Sequence, residues 1–166
     1  DVLVHPQPRP NISGPNSVCF GTNPQFSVNY PATPYTINWS LDGANTPWLN
    51  QPNATFFGLT VGPHSLVVQV TSPNNCVGVD TFNFVVNPTP NAYILPNASL
   101  CEGQSHLLVG GSFSPNIMAN YWNTGSNNDS ITVSAPSTYL FTVVDSNGCK
   151  NTVSKTVYPL PDFCGL

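Results

Sequence analysis

Apolar residues alternate with polar ones along most of this chain. Phe26, Val28 and Tyr30 alternate, as do Tyr35, Ile37, Trp39 and Leu41. Leu66, Val68 and Val70 follow, then Phe82, Phe84 and Val86. Farther on, the pattern runs through Ile131 and Val133, through Tyr139, Phe141 and Val143, and through Val153 and Val157. A period of two predicts strands with one face buried and one face wet. Val, Thr, Phe and Tyr, which fit a pleated and half-buried surface, dominate these runs. Gly, Pro, Asn and Ser punctuate the gaps. Asn147-Gly148 has the chemistry of a tight turn with positive φ, and Gly110-Gly111-Ser112 reads as another turn. No stretch reads as an amphipathic helix, and no run of 18 apolar residues predicts a membrane-spanning one.

The pattern occurs twice. Ser17-Val18-Cys19-Phe20-Gly21 matches Ser99-Leu100-Cys101-Glu102-Gly103, and each is preceded by Pro-Asn. Ile37-Asn38-Trp39-Ser40 matches Asn120-Tyr121-Trp122-Asn123. The run His64–Cys76 matches Ser137–Cys149, and each is followed by one more strand-like run and a Pro-x-Pro. Self-similarity in order, residue type and spacing marks repeated structural units. The predicted organisation is a Pro-rich arm over 1–10, a module over 11–88, a linker over 89–91, a second module over 92–159, and 160–166 as linker or the start of a third repeat. Short strands, regular turns and about 80 residues per unit describe a β-sandwich of the immunoglobulin type. The predicted fold class is all-β, with two tandem immunoglobulin-like β-sandwich modules. Trp39 and Trp122 belong in the two cores, because their neighbours alternate around them.

Cysteine usage adds covalent expectations. Four of the five cysteines fall into two similar pairs, which the repeat assigns within modules as Cys19–Cys76 and Cys101–Cys149. Each bond would close a long loop and, by loop-closure entropy, stabilise its module by roughly 4 kcal/mol. Reduction is then expected to lower the melting temperature of both modules. Cys164 is left over, either opening a third repeat or standing as an unpaired or interchain thiol. Paired cysteines imply an oxidising, extracellular location. The absence of a signal peptide at Asp1 suits a mature or internal fragment.

Charge narrows the function classes. Charged residues make up 6% of the chain, against about 25% in an average soluble protein. Only Arg9, Lys150 and Lys155 are cationic, and the formal net charge is −4. Nucleic-acid binding and attraction to anionic membranes both need clustered Lys and Arg, so both are excluded as expected partners.

The motifs Cys-x-Gly, Tyr121-Trp122-Asn123-Thr124-Gly125 and Ser137–Cys149 resemble the Ig-like/PKD-like repeats of Bacteroidetes surface proteins. Such repeats occur in secreted, gliding-motility-associated adhesins of the SprB type. The resemblance covers most of 92–159 well. It covers 11–88 more loosely, since Trp39-Ser40-Leu41-Asp42-Gly43 replaces Trp-x-Thr-Gly there. It implies a cell-surface location, a stalk or adhesive role, and no catalytic residues. Asp129-Ser130-Ile131 also resembles a short acceptor motif for O-glycosylation in that phylum, with Ser130 as the acceptor.

Catalytic chemistry is missing from the sequence. The seven acids form no recognisable facing pair, and the three histidines show no zinc spacing. No Gly-x-Ser-x-Gly nucleophile turn occurs. No cofactor is expected. Calcium is the one metal considered, at Asp145-Ser146-Asn147, but a single carboxylate is thin for a site with six to eight oxygens. Asp145 is better read as a turn cap. Trp48, in a loop-like stretch without a repeat counterpart, is a candidate ligand platform. Asn11, Asn38, Asn53, Asn97 and Asn128 lie in Asn-x-Ser/Thr sequons. The leading expectation is a non-catalytic repeat segment of an extracellular adhesin, with neighbouring repeats or subunits and surface glycans as partners. Alternatives are a filament subunit that donates its N-terminal arm, or a carbohydrate-binding accessory module.

Overall fold

A computed structural model describes residues 4–46, 50–96, 100–101 and 105–159, with the backbone alone at Leu100 and Cys101. The chain divides into two compact units, Asp1–Pro88 and Thr89–Leu166. Every regular element among the described residues is a strand.

The first module contains β1 (Ile12–Ser13), β2 (Ser17–Cys19), β3 (Gln25–Val28), β4 (Thr36–Leu41), β5 (Ala44–Thr46), β6 (Asn53–Thr55), β7 (Gly62–Thr71) and β8 (Val77–Asn87). One sheet has the order β1-β3-β6 and the other β2-β8-β7-β4-β5. The second module contains β9 (Ala92–Leu95), β10 (Leu100–Cys101), β11 (His106–Ser112), β12 (Ile117–Trp122), β13 (Ser130–Val133), β14 (Ser137–Asp145) and β15 (Lys150–Tyr158). Its sheets are β9-β11-β13 and β10-β15-β14-β12. The two topologies correspond strand for strand, with β5 the one extra element. In each module the leading segment switches sheets. Its first half pairs antiparallel with β3 or β11, and its second half runs parallel to β8 or β15. These are immunoglobulin-like β-sandwiches.

Each core is organised by its tryptophan. Trp39 and Trp122 are both 1% exposed. An indole this deep must satisfy its N–H. Trp39 donates to the Gln51 carbonyl at 2.9 Å, and Trp122 donates to the Asn128 carbonyl at 2.9 Å. Both acceptors precede β6 or β13 by two residues, so the same bond ties the two sheets together in each repeat. Phe26, Ile37, Leu66, Val68 and Phe84 complete the first core, and Leu108, Phe141, Val143 and Val157 the second. Tyr139, near the start of β14, adds a hydrogen bond back to the Ala135 carbonyl at 3.0 Å.

Local turn chemistry follows the residues. Asp42 and Gly43 have φ of 51° and 80°, the left-handed pair that a two-residue hairpin between β4 and β5 requires. The loops Ser72–Cys76 and Asp145–Cys149 close in the same way. The first residue's N–H donates to the cysteine carbonyl, and its side-chain oxygen accepts the cysteine N–H. Gly148 there takes φ 78°, and Asn75 takes φ 61° at the matching position.

Two expectations are corrected. First, the cysteines do not pair within modules. Cys19 stands opposite Asn87, whereas Cys76 precedes Val77 at the other end of β8. Eleven strand residues at about 3.3 Å each separate those ends by roughly 35 Å, and a disulfide needs Cα atoms within about 7 Å. Cys101 stands opposite Tyr158, at the far end of β15 from Cys149, so the same geometry excludes Cys101–Cys149. Cys19 and Cys149 are disulfide-bonded, and the thiol of Cys76 is free. Neither module is therefore stapled by the loop-closing bond expected for it. Second, Gly110-Gly111-Ser112 lies inside β11 rather than in a turn. A Cβ on Gly110 would lie 2.6 Å from the Phe141 ring, so glycine there makes room for the core. The arm over 1–10 also makes contacts with the first module. Gln7 Nε2 donates to the Val77 carbonyl at 2.7 Å, and the Arg9 N–H donates to the Tyr30 hydroxyl at 2.6 Å.

One ionisable pair braces the first module. His64 Nδ1 lies 2.7 Å from Asp42 Oδ2, and His64 Nε2 lies 2.8 Å from the Thr60 carbonyl. Both ring nitrogens face acceptors, so the doubly protonated imidazolium fits the site best. Burial opposes charge on both partners but is outweighed. Hydrogen bonds to the Thr60 carbonyl and Asp42, with the carboxylate's charge, raise the His64 pKa above its usual 6.5. Hydrogen bonds from the Ser65 N–H and His64, with the imidazolium's charge, lower that of Asp42 below 3.8.

Gly110→Ala should destabilise the second module by about 1–3 kcal/mol through overpacking against Phe141. Calorimetry should show the fall in its melting temperature. The His64 contribution is fully present below pH 6.5 and lost as pH rises through the raised folded-state pKa. The Asp42 contribution is present above pH 3.8 and lost as pH falls through its lowered one. The pair therefore supports the first module most between those values, by under about 1 kcal/mol because Asp42 is half open to water. Melting curves from pH 5 to about pH 9 should show this alkaline loss, and His64→Gln should flatten it.

Candidate functional site

A surface groove lies in the second module, beside the turn that follows β12. Trp122 accepts there from the Gly125 N–H at 3.0 Å and donates its own N–H to the Ser126 carbonyl at 2.7 Å. The Ser126 hydroxyl accepts from the Asn128 N–H at 3.2 Å. The Tyr-Trp-x-Thr-Gly segment thus folds into a rim held to the buried indole. Beneath it opens a groove of 540 Å³, lined by Thr124, Ser126, Asn128, Ser130, Ile131 and Tyr139 among others. Its polar side chains are neutral hydroxyls and an amide, and Ile131, Val133 and Ala135 add apolar surface. Such a lining can hydrogen-bond a neutral, hydroxyl-rich ligand and exclude water from its apolar face. It supplies no acid, base or nucleophile pair.

A second depression of 410 Å³ lies between the two sheets, with Tyr93, Gly110, Gly111, Asn120, Asp129 and Phe141 in its walls. Asn120 Nδ2 donates to Asp129 Oδ1 at 2.7 Å. Beside it, Tyr93 and Phe113 stack with ring centroids 4.6 Å apart. Phe113 is 78% exposed, an unusual position for an aromatic pair in so polar a surface.

The sequence-derived candidates separate on this framework. Asn128 and Ser130 come together on the groove, and the Asn128 carbonyl also holds Trp122. Asn11, Asn38 and Asn53 are exposed on the first module. Trp48, Asn97, Cys164 and the 160–166 segment lie outside the described residues. Each described carboxylate is engaged as an acceptor. Asp42 binds His64 and the Ser65 N–H, Asp80 binds the Ile12 N–H, Asp129 binds Asn120, and Asp145 binds the N–H groups of Asn147 and Cys149. Asp145, the carboxylate weighed for calcium, is thus the cap of its own turn. No group of three His, Cys, Asp or Glu residues comes together among the described residues. The His64 ring of the Asp42–His64 pair stacks on Phe84, with centroids 5.3 Å apart, and among the described residues no hydroxyl or thiol nucleophile is hydrogen-bonded to the pair. The Tyr93–Phe113 pair escaped sequence reasoning, because neither ring belongs to an alternating run.

No protein-family model and no curated protein matches this sequence. Solved structures resemble it in architecture. The fibronectin(III)-like modules of Clostridium thermocellum CbhA are 9% identical, with a TM-score of 0.42 over 90% of this chain and 95% of theirs. Murine CEACAM1b is 15% identical, with a TM-score of 0.42 over 92% of this chain and all of its own. The Bacteroides ovatus mixed-linkage glucan utilization locus protein SGBP-B, solved with a mixed-linkage heptasaccharide, is 16% identical, with a TM-score of 0.38. This chain spans about half of that protein, 48%. The likeness is one of fold and assigns no ligand or activity to this chain.

Proposed function

We propose that this chain is a non-catalytic spacer segment of an extracellular surface adhesin of the repeat type, as its resemblance to SprB-type gliding-motility adhesins suggests. The observation that carries the reading is the path of the chain through each module. It arrives at one pole, beside the turn that ends in Cys76 or Cys149, and leaves from the opposite pole, after Asn87 or Tyr158. A unit threaded pole to pole transmits tension along its sheets, which suits a stalk. Disulfide-bonded Cys19 and Cys149 support an oxidising location. A surface built from amides and hydroxyls, with 6% charge, stays hydrated with little dependence on ionic strength.

A second reading is favoured by one specific feature. The Tyr93–Phe113 pair, with Phe113 exposed, lies beside the depression that holds Asn120 and Asp129 and has the chemistry of a saccharide-stacking platform. On that reading the second module is a carbohydrate-binding surface.

The two readings separate experimentally. Pulled from its termini with its disulfides reduced, a spacer should unfold in two discrete events, each releasing about 20–25 nm for a module of this length. A single gradual extension would overturn it. On a glycan array the spacer should be silent. Saccharide binding that disappears in Phe113→Ala would replace the spacer reading with the carbohydrate one.

A further inference from the structure

We infer that Cys76 is the site of an inter-repeat disulfide, and that its partner is the cysteine at the trailing pole of a module ahead of this one in the array. The inference rests on the spacer reading above. Three observations lead to it.

The repeat places cysteines at poles. Cys19 and Cys101 end β2 and β10, opposite Asn87 and Tyr158, where the chain leaves each module. Cys76 and Cys149 end the turns at the opposite pole, where the chain arrives. Cys76 Sγ lies 4.0 Å from the His5 carbonyl oxygen in the arriving arm. Cys149 shares its pole with Asn91, because the Ser146 N–H donates to the Asn116 carbonyl and the Phe113 N–H to the Asn91 carbonyl.

Each of these two repeat positions is bonded in one module. Cys19 is bonded at the trailing position and Cys149 at the leading one, and strand geometry rules out the other described cysteine of the same module in both cases. The position is thus built for disulfides that leave the module.

Cys76 occupies the same turn as Cys149, with the same backbone bonds and a left-handed residue just before the cysteine. Yet Cys149 is fully buried and bonded, while Cys76 is partly exposed and carries a free thiol. Chain connectivity joins the trailing pole of any module to the leading pole of the next through a short linker. The thiol brought nearest to Cys76 is therefore the trailing-pole cysteine of the module ahead. Bond formation joins the two sulfurs, and both thiols lose a proton and an electron. A disulfide oxidant such as oxidised glutathione accepts the two electrons and two protons and is cleaved to two thiols.

The test places a second copy of Thr89–Pro159 directly ahead of Asp1 and refolds the chain in a glutathione redox buffer. Without reduction, peptide mapping should link Cys76 to the trailing-pole cysteine of the added copy. The alkylated fraction of Cys76 should fall at least about tenfold relative to the original chain, because the pairing is intramolecular. Substituting serine for that added cysteine should restore alkylation. Cys76 that stays alkylatable, or bonds elsewhere, overturns the inference. Stepwise unfolding under force reads the spacer function separately, so either idea can fail alone.

Discussion

A buried indole that must keep its one polar atom satisfied shapes both modules. Small sandwiches have thin cores, and a tryptophan fills much of that thickness at once. Its N–H cannot be left dry without a cost of about 1–3 kcal/mol. The chain therefore crosses from β4 or β12 to the opposite sheet so that a carbonyl two residues before β6 or β13 meets it. That requirement fixes where the connection must end, two residues before β6 or β13. In the second module the loop becomes the rim of the groove, so the surface feature is a by-product of core satisfaction.

The cysteines serve a different end. In antibody-type sandwiches the disulfide crosses the core between facing strands. Here the central positions of those strands hold Phe26 and Val68 in one module, and Leu108 and Phe141 in the other. The cysteines sit at strand ends and turns. No described disulfide crosses either core, so packing, capping and strand pairing hold the two sheets of each module together. The close fit of Gly110 under Phe141 and the Asp145 cap belong to that economy.

Much of this was legible in the sequence, for physical reasons. Long strands such as Gly62–Thr71 and Val77–Asn87 announce themselves because one face is buried and the other wet. Both tryptophans were placed correctly because their neighbours alternate. Strand β11 was hidden because Gly110 and Gly111 look like a turn, and only the Phe141 and Tyr93 rings above them explain two glycines in a strand. Hairpin β4–β5 carried an Asp-Gly signal that could have been used. The disulfides were misassigned because sequence spacing reports loop length but not which end of a strand a residue occupies. Cys19 and Cys76 look like partners until β2 is seen to run parallel to β8. Of the candidate site, the sequons and Ser130 were visible as motifs, while the Tyr93–Phe113 pair depends on a strand pairing that no local pattern encodes.

The parallel pairing of β2 with β8, and of β10 with β15, has a consequence for how a repeat can be joined to its neighbours. If the leading segment stayed in one sheet, its last residue would not lie beside the last residue of the final strand. By switching sheets and running parallel, it brings Cys19 level with Asn87 and Cys101 level with Tyr158. A cysteine near the start of the module's sequence is thus delivered to the point where the chain departs. A cysteine near the end of its sequence, in the turn before the final strand, is delivered to the point where the chain arrives. The inversion needs no long loop and no special residue, only the sheet switch. Cysteine positions that look intramodular along the sequence lie at opposite poles of the module once the strands are paired.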